Sequence, residues 1–94
     1  MEPVTLMRLL DAWGKNQSWL AKQIDCDKSS VWAWVNREGN PAPIYAERIA
    51  KLFGVIHTTV DGHMVYIPTS ATTKRKLTRL TSKYLQDKAA KGEI

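Results

Sequence analysis

Ninety-four residues, 44% of them hydrophobic and 24% charged, suffice for one domain with a modest core and a tail. One cysteine, Cys26, excludes an intrachain disulfide, and no run approaches the ~20 apolar residues that a membrane helix needs. The net charge of +5 is unevenly placed. Residues 1–70 set seven cations (Arg8, Lys15, Lys22, Lys28, Arg37, Arg48 and Lys51) against seven anions (Glu2, Asp11, Asp25, Asp27, Glu38, Glu47 and Asp61), so the excess falls in residues 71–94. A neutral body with a basic end points to a polyanionic partner, most simply nucleic acid; the plainer alternative is a solvated tail. The chain start lacks a charged-then-apolar signal pattern, so a cytoplasmic protein is expected.

In chain order, Pro3 suits a first helical position, where its missing N–H leaves nothing unpaired. Val4, Leu6, Met7, Leu9, Leu10 and Trp13 follow at near-helical spacing, and Gly14 can end the helix, predicting one over 3–13. Asn16 is a good N-cap for a second helix over 17–24, with Trp19, Leu20, Gln23 and Ile24 along one side and Ala21 beside them. Asp27 offers a cap for a third, from Lys28 to Arg37. There Val31, Trp34 and Val35 form the buried stripe, and Lys28, Ser29, Trp32, Ala33 and Asn36 fall on the other side. The Gly- and Pro-containing stretch 38–43 is a loop. A fourth helix over 43–53 carries Ile44, Tyr45, Arg48, Ile49, Leu52 and Phe53 in register, and Gly54 ends it.

The period then changes. Residues 55–60 and 63–67 are rich in β-branched and aromatic residues and flank Asp61-Gly62, a strong two-residue hairpin signal. Such a loop pairs Val60 with His63, Thr58 with Val65 and Ile56 with Ile67. One face then carries Ile56, Val60, Val65 and Ile67; the other carries His57, Thr59, Met64 and Tyr66. Pro68 stops the second strand. Residues 69–73 read as a small, polar linker. Residues 74–91 have the pattern of a basic helix with Leu77, Leu80, Tyr84 and Leu85 on one side. The expected division is a domain over 1–68 and a basic tail, helical or not, over 69–94.

Two short helices separated by three or four residues match the spacing of a helix-turn-helix. Asn16 and Gln17 open the first, where free N–H groups favour a phosphate. Lys28, Ser29 and Ser30 open the second and can donate to base edges or phosphates. The run from Gln17 to Trp34 resembles the phage Cro and repressor family of helix-turn-helix regulators. Gln17, Leu20, Ala21 and Ser29 agree with its motif; Cys26 stands for an apolar Val, Lys28 for a base-reading Gln and Val31 for a core Ile. Residues 49–55 resemble that family's fourth helix, so the likeness covers about 4–55. Two departures stand out. Asp25 replaces the turn glycine, and Trp32 occupies a position often given to a polar base reader; its apolar face would suit thymine methyls.

The resemblance implies a mainly α, four-helix Cro-like domain followed by a β-hairpin and a basic tail or helix. It implies a transcriptional regulator, most simply a repressor, that binds double-stranded DNA without catalysis. The DNA-facing set is Asn16, Gln17, Lys28, Ser29, Ser30, Trp32, Ala33, Asn36 and Arg37. The hairpin resembles the Cro branch, where this element supports dimerisation, so Ile56, Thr58, Val60, Val65 and Ile67 are expected at a homodimer contact on a pseudo-palindromic operator; alternatively the hairpin closes the domain's own core. The competing reading is a protein-interaction module, such as an antitoxin or adaptor, using Trp32 or the hairpin.

Other readings are plainer. Cys26 reads as a small core hydrophobe and not as a nucleophile or metal ligand. His57 and His63 fall on opposite faces of the hairpin and cannot share one ion. Trp13, Trp19 and Trp34 are expected in the core. No catalytic constellation is apparent, and no cofactor, metal, membrane or small-molecule ligand is expected. The tail cations either follow the DNA or flank a fifth helix docked through Leu77.

Overall fold

The first helix starts later than its apolar spacing suggests. In the computed structural model, which describes residues 2–79, α1 spans Leu6–Trp13, and the N-cap is Thr5, whose Oγ1 accepts from the Arg8 N–H at 3.3 Å. Pro3 lies outside the helix. Val4 is extended and exchanges two backbone hydrogen bonds with Tyr66, at 2.7 and 2.8 Å. An apolar residue beside a helix start is ambiguous from sequence; here the unpaired edge of a strand takes it. Gly14, in the left-handed region at φ 65°, ends α1.

Helix α2 spans Gln17–Ile24, with the Asn16 side chain accepting from the Trp19 N–H at 2.9 Å. Asp25 stands at φ 57° where a glycine would be unstrained, and the Cys26 N–H closes back on the Ala21 carbonyl at 3.0 Å. Helix α3 spans Lys28–Val35. Asp27 occupies its N-cap position, but its side chain forms no capping bond. The helix stops two residues short of Arg37. The Asn36 side-chain amide donates to the Trp32 carbonyl at 2.8 Å, and Arg37 turns to φ 60°.

Helix α4 spans Pro43–Phe53 and ends at Gly54. A hairpin follows, β1 Val55–Val60 and β2 His63–Pro68, in the register expected from the Asp61-Gly62 turn, whose residues both have positive φ. A fifth helix, α5, begins at residue 71 and runs to 79, the last described residue. The stretch 69–73, expected as a linker, is instead an anchor. The Thr69 and Ser70 N–H groups both donate to the Gly54 carbonyl at 2.9 Å, Ser70 Oγ accepts from the Thr73 N–H at 3.1 Å, and the Thr73 hydroxyl donates to the Phe53 carbonyl. The carbonyls that end α4 thus find partners in the residues that start α5. The approach is close enough that a Cβ on Gly54 would meet the Ser70 Cβ at 2.4 Å, and φ is 66° there, so both space and backbone require glycine. The expected continuation of this helix to 91, with Leu80, Tyr84 and Leu85, lies outside the described residues.

The core gathers Leu6, Leu9 and Leu10 of α1, Leu20, Ala21 and Ile24 of α2, Val31 and Val35 of α3, Ala46, Ile49 and Phe53 of α4, and then Val55, Tyr66 and Leu77. Each large side chain so buried stabilises the fold by about 1.5–3 kcal/mol before entropy is counted. Met7, Gln23 and Ile44, read as part of apolar faces, are exposed. Met7 and Gln23 sit at the margin of their helix's buried stripe, and Ile44 lies on the side of α4 opposite Ala46, Ile49 and Phe53. The three tryptophans expected inside are half-buried and wall the core: Trp13 and Trp19 flank Phe53, with ring centroids 5.6 and 6.1 Å away, and Trp34 lies 5.8 Å from Tyr45. Rings this large reach the surface from a core this small. The molecule is therefore mainly helical, five helices with one antiparallel hairpin among the described residues. None of its described helices is long and apolar enough to cross a membrane.

Candidate nucleic-acid interface

Burial of Val31 and Val35 fixes which side of α3 faces outward. Lys28, Ser29, Trp32 and Asn36 are exposed, Ala33 is half-buried between them, and Ser30 lies half-buried on the flank. Trp32 retains 50% of its surface. Residues 28–36 contain no acid, and neither Lys28 nor Arg37 forms an ion pair among the described residues. The face thus offers an ammonium, hydroxyls and an indole, with Arg37 just past the helix end.

Two of the expected contact residues are partly committed within the protein. The Asn36 amide spends one of its two N–H donors on the Trp32 carbonyl, which leaves its oxygen and one N–H. The Asn16 oxygen caps Trp19. Gln17, half-buried, is the first residue of α2, where early N–H groups have no acceptor within the helix.

The C-terminal end of α2 is tied to α4 by a residue that sequence patterning did not single out for this role. Arg48 of α4 donates from Nη1 to the Ile24 carbonyl at 2.7 Å, taking one of the last carbonyls of α2, and its guanidinium lies 5.6 Å from the Tyr45 ring. Only a three-dimensional contact 24 residues apart reveals this, because the helical register merely placed Arg48 near the core side. Cys26 packs half-buried in the turn; burial first, then Asp27 and Asp25, push its thiol pKa above the ordinary value. A thiol so disposed is a poor nucleophile.

The hairpin presents two unlike faces and two unlike edges. Val55, Tyr66 and Pro68 are buried on the inner face, while the outer face carries Ile56, Thr58, Val60, Val65 and Ile67 together with His63. Ile56 and Val60 are 52% and 48% exposed. On the β2 edge, the outward backbone groups of Tyr66 are taken by Val4 and the Met64 N–H by the Asn40 side chain at 2.9 Å; Asn40 also donates to the Gly62 carbonyl at 2.8 Å. On the β1 edge, the outward groups of His57 and Thr59 have no such partner among the described residues. His57 and His63 lie on opposite faces.

A shallow cavity of about 210 Å³ lies where α1, the end of α3 and the hairpin meet, lined among others by Trp34, Asn40, Pro41 and Met64. It is smaller than the ~300–1,000 Å³ usual for small-molecule sites. No protein-family model matches this chain, and no curated protein or solved structure matches it either.

Proposed function

We propose that the chain is a sequence-specific double-stranded DNA-binding protein of helix-turn-helix type, a Cro-like transcriptional regulator acting in the cytoplasm. The observation that carries this reading is the outward face of α3: Lys28, Ser29 and Trp32 project from a helix segment without acids. In this reading α3 enters the major groove by its N-terminal half. Lys28 and Ser29 donate to base acceptors or phosphates, and Trp32 lays its ring against thymine methyls. The first N–H groups of α2 receive a backbone phosphate. The protein acts by occupancy and has no chemical step.

Binding as a twofold dimer fits the hairpin. Its exposed face is mostly apolar, with Thr58 and His63 and no Lys, Arg, Asp or Glu, and the β1 edge is open to pairing with a second copy, while the β2 edge is closed within the protomer. Two recognition helices about 34 Å apart would then read a pseudo-palindrome.

The test is anisotropy of a labelled random duplex pool against protein at several salt concentrations, with sequencing of the bound fraction. Enrichment of a pseudo-palindrome and a steep fall in affinity with salt are expected. The half-exposed Trp32 also favours a second reading, a protein-interaction module such as an antitoxin or adaptor. Absence of duplex binding at physiological salt would select it.

A further inference from the structure

Helix α5 does not hang from the body; it is fixed to it. Thr73 and Leu77, one turn apart, are buried, and the residues before them bond to the carbonyls at the end of α4. This placement sets Lys76 with its Nζ 4.7 Å above the Trp13 ring. Trp13 meets Phe53 edge-on, Phe53 also meets Trp19, and Lys15 holds its Nζ 5.4 Å from the Trp19 ring. Two ammonium groups are therefore perched on the two tryptophans of one aromatic cluster. Trp19 is the residue capped by Asn16, so the cluster stands at the N-terminal end of α2.

A lysine held by an acid is positioned and neutralised together. A lysine held over an indole is positioned and keeps its full charge, because the ring supplies a quadrupole and no counter-ion. Segments 12–24 and 69–79 contain no acid, and neither lysine forms an ion pair among the described residues. On α5, Arg75 and Arg79 are exposed and lie one turn apart, and Lys76 lies three residues before Arg79. The result is one held cation on α5 and one just before α2, joined through a single aromatic cluster.

We propose that Lys15 and Lys76, extended by Arg75 and Arg79, form a second phosphate-binding strip that grips the DNA backbone beside the stretch read by α3. This rests on the DNA-binding reading and assigns α5 a part in it: α5 adds affinity without adding base discrimination. Phosphate contacts raise binding to every sequence alike, because they do not touch base edges.

The experiment measures binding of the full chain, wild type and the double variant Lys15→Gln/Lys76→Gln, to a labelled random-sequence duplex pool between about 50 and about 200 mM salt. Loss of two phosphate contacts is expected to reduce the slope of log affinity against log salt by about 1.8. Enrichment of preferred sequences should stay as in the wild type. The charge-keeping pair Lys15→Arg/Lys76→Arg should restore the slope, which separates lost charge from a disturbed aromatic cluster. If the double variant keeps the wild-type slope, the strip is overturned and the α3 reading stands. If the slope falls and the arginine pair does not restore it, the effect is structural and the strip is likewise overturned. A wild type without salt-dependent duplex binding overturns the strip and the α3 reading together.

Discussion

Trp32 on α3 and the Ile56–Val60 pair on β1 stand out of the protein to nearly the same extent, at 50%, 52% and 48% exposure, yet their surroundings differ. Trp32 sits between a lysine, serines and an asparagine, with an arginine just beyond the helix. Ile56 and Val60 sit among Thr58, Val65 and Ile67, with His63 as the one ionisable neighbour on their face. An exposed hydrophobe ringed by cations and hydroxyls suits a partner that is charged along its rails and apolar in places between them, as a DNA groove is. An exposed hydrophobe among hydrophobes suits a partner like itself. The same physical quantity, area left in water, thus points to two different partners once the neighbouring charge is read with it.

The largest effect of a substitution is expected on the hairpin. Ile56→Lys with Val60→Lys would put four charges into the proposed twofold contact and is expected to weaken self-association on the order of 100-fold or more. Sedimentation velocity should show a monomer, and thermal unfolding at low protein concentration should change little, because both side chains are exposed in the protomer. A wild type that is already monomeric would remove the assigned role of this face. On α3 the expected effects are smaller. Lys28→Ala and Ser29→Ala should each cost about 1–3 kcal/mol of binding to a selected operator, with the unfolding midpoint kept. Trp32→Ala should relax preference at one position and leave nonspecific affinity alone; equal losses on operator and random duplex would place Trp32 outside base reading.

Two further substitutions concern what holds these surfaces in place. Asn40→Ala removes both side-chain bonds to the hairpin and should cost about 1–2 kcal/mol in urea unfolding. It should also expose the Met64 N–H on the edge that is otherwise closed, read as faster hydrogen exchange there. Asp25→Gly relieves a left-handed turn residue and should raise stability by about 0.5–1 kcal/mol, the smallest of these effects. A loss instead would mean that the Asp25 carboxylate makes a contribution larger than the backbone strain.

Local patterning went far in this chain because its signals are local. The Asn16 cap, the prolines and glycines around α4 and the Asp61-Gly62 turn each act through residues a few positions away, so α2, α4 and the hairpin register were legible from sequence. The outward side of α3 was legible for the same reason, since Val31 and Val35 set its phase. Errors arose where a distant partner outbid the local preference. Val4 left the helix to pair with Tyr66, 62 positions on, and Thr73 left the expected linker to reach the Phe53 carbonyl.

The sequence alone therefore determined most of the elements, most of the buried side of α2 and α3 and the charge of the C-terminal region, because helical period, capping and turn chemistry are short-range. Tertiary structure decided which hairpin face is buried, which edge is closed, how Arg48 and Asn40 tie separate elements together, and where α5 sets its cations. These depend on backbone groups left unpaired at strand edges and helix ends, and on which surfaces fit together. A one-dimensional pattern carries neither quantity, because each is defined only once distant segments meet.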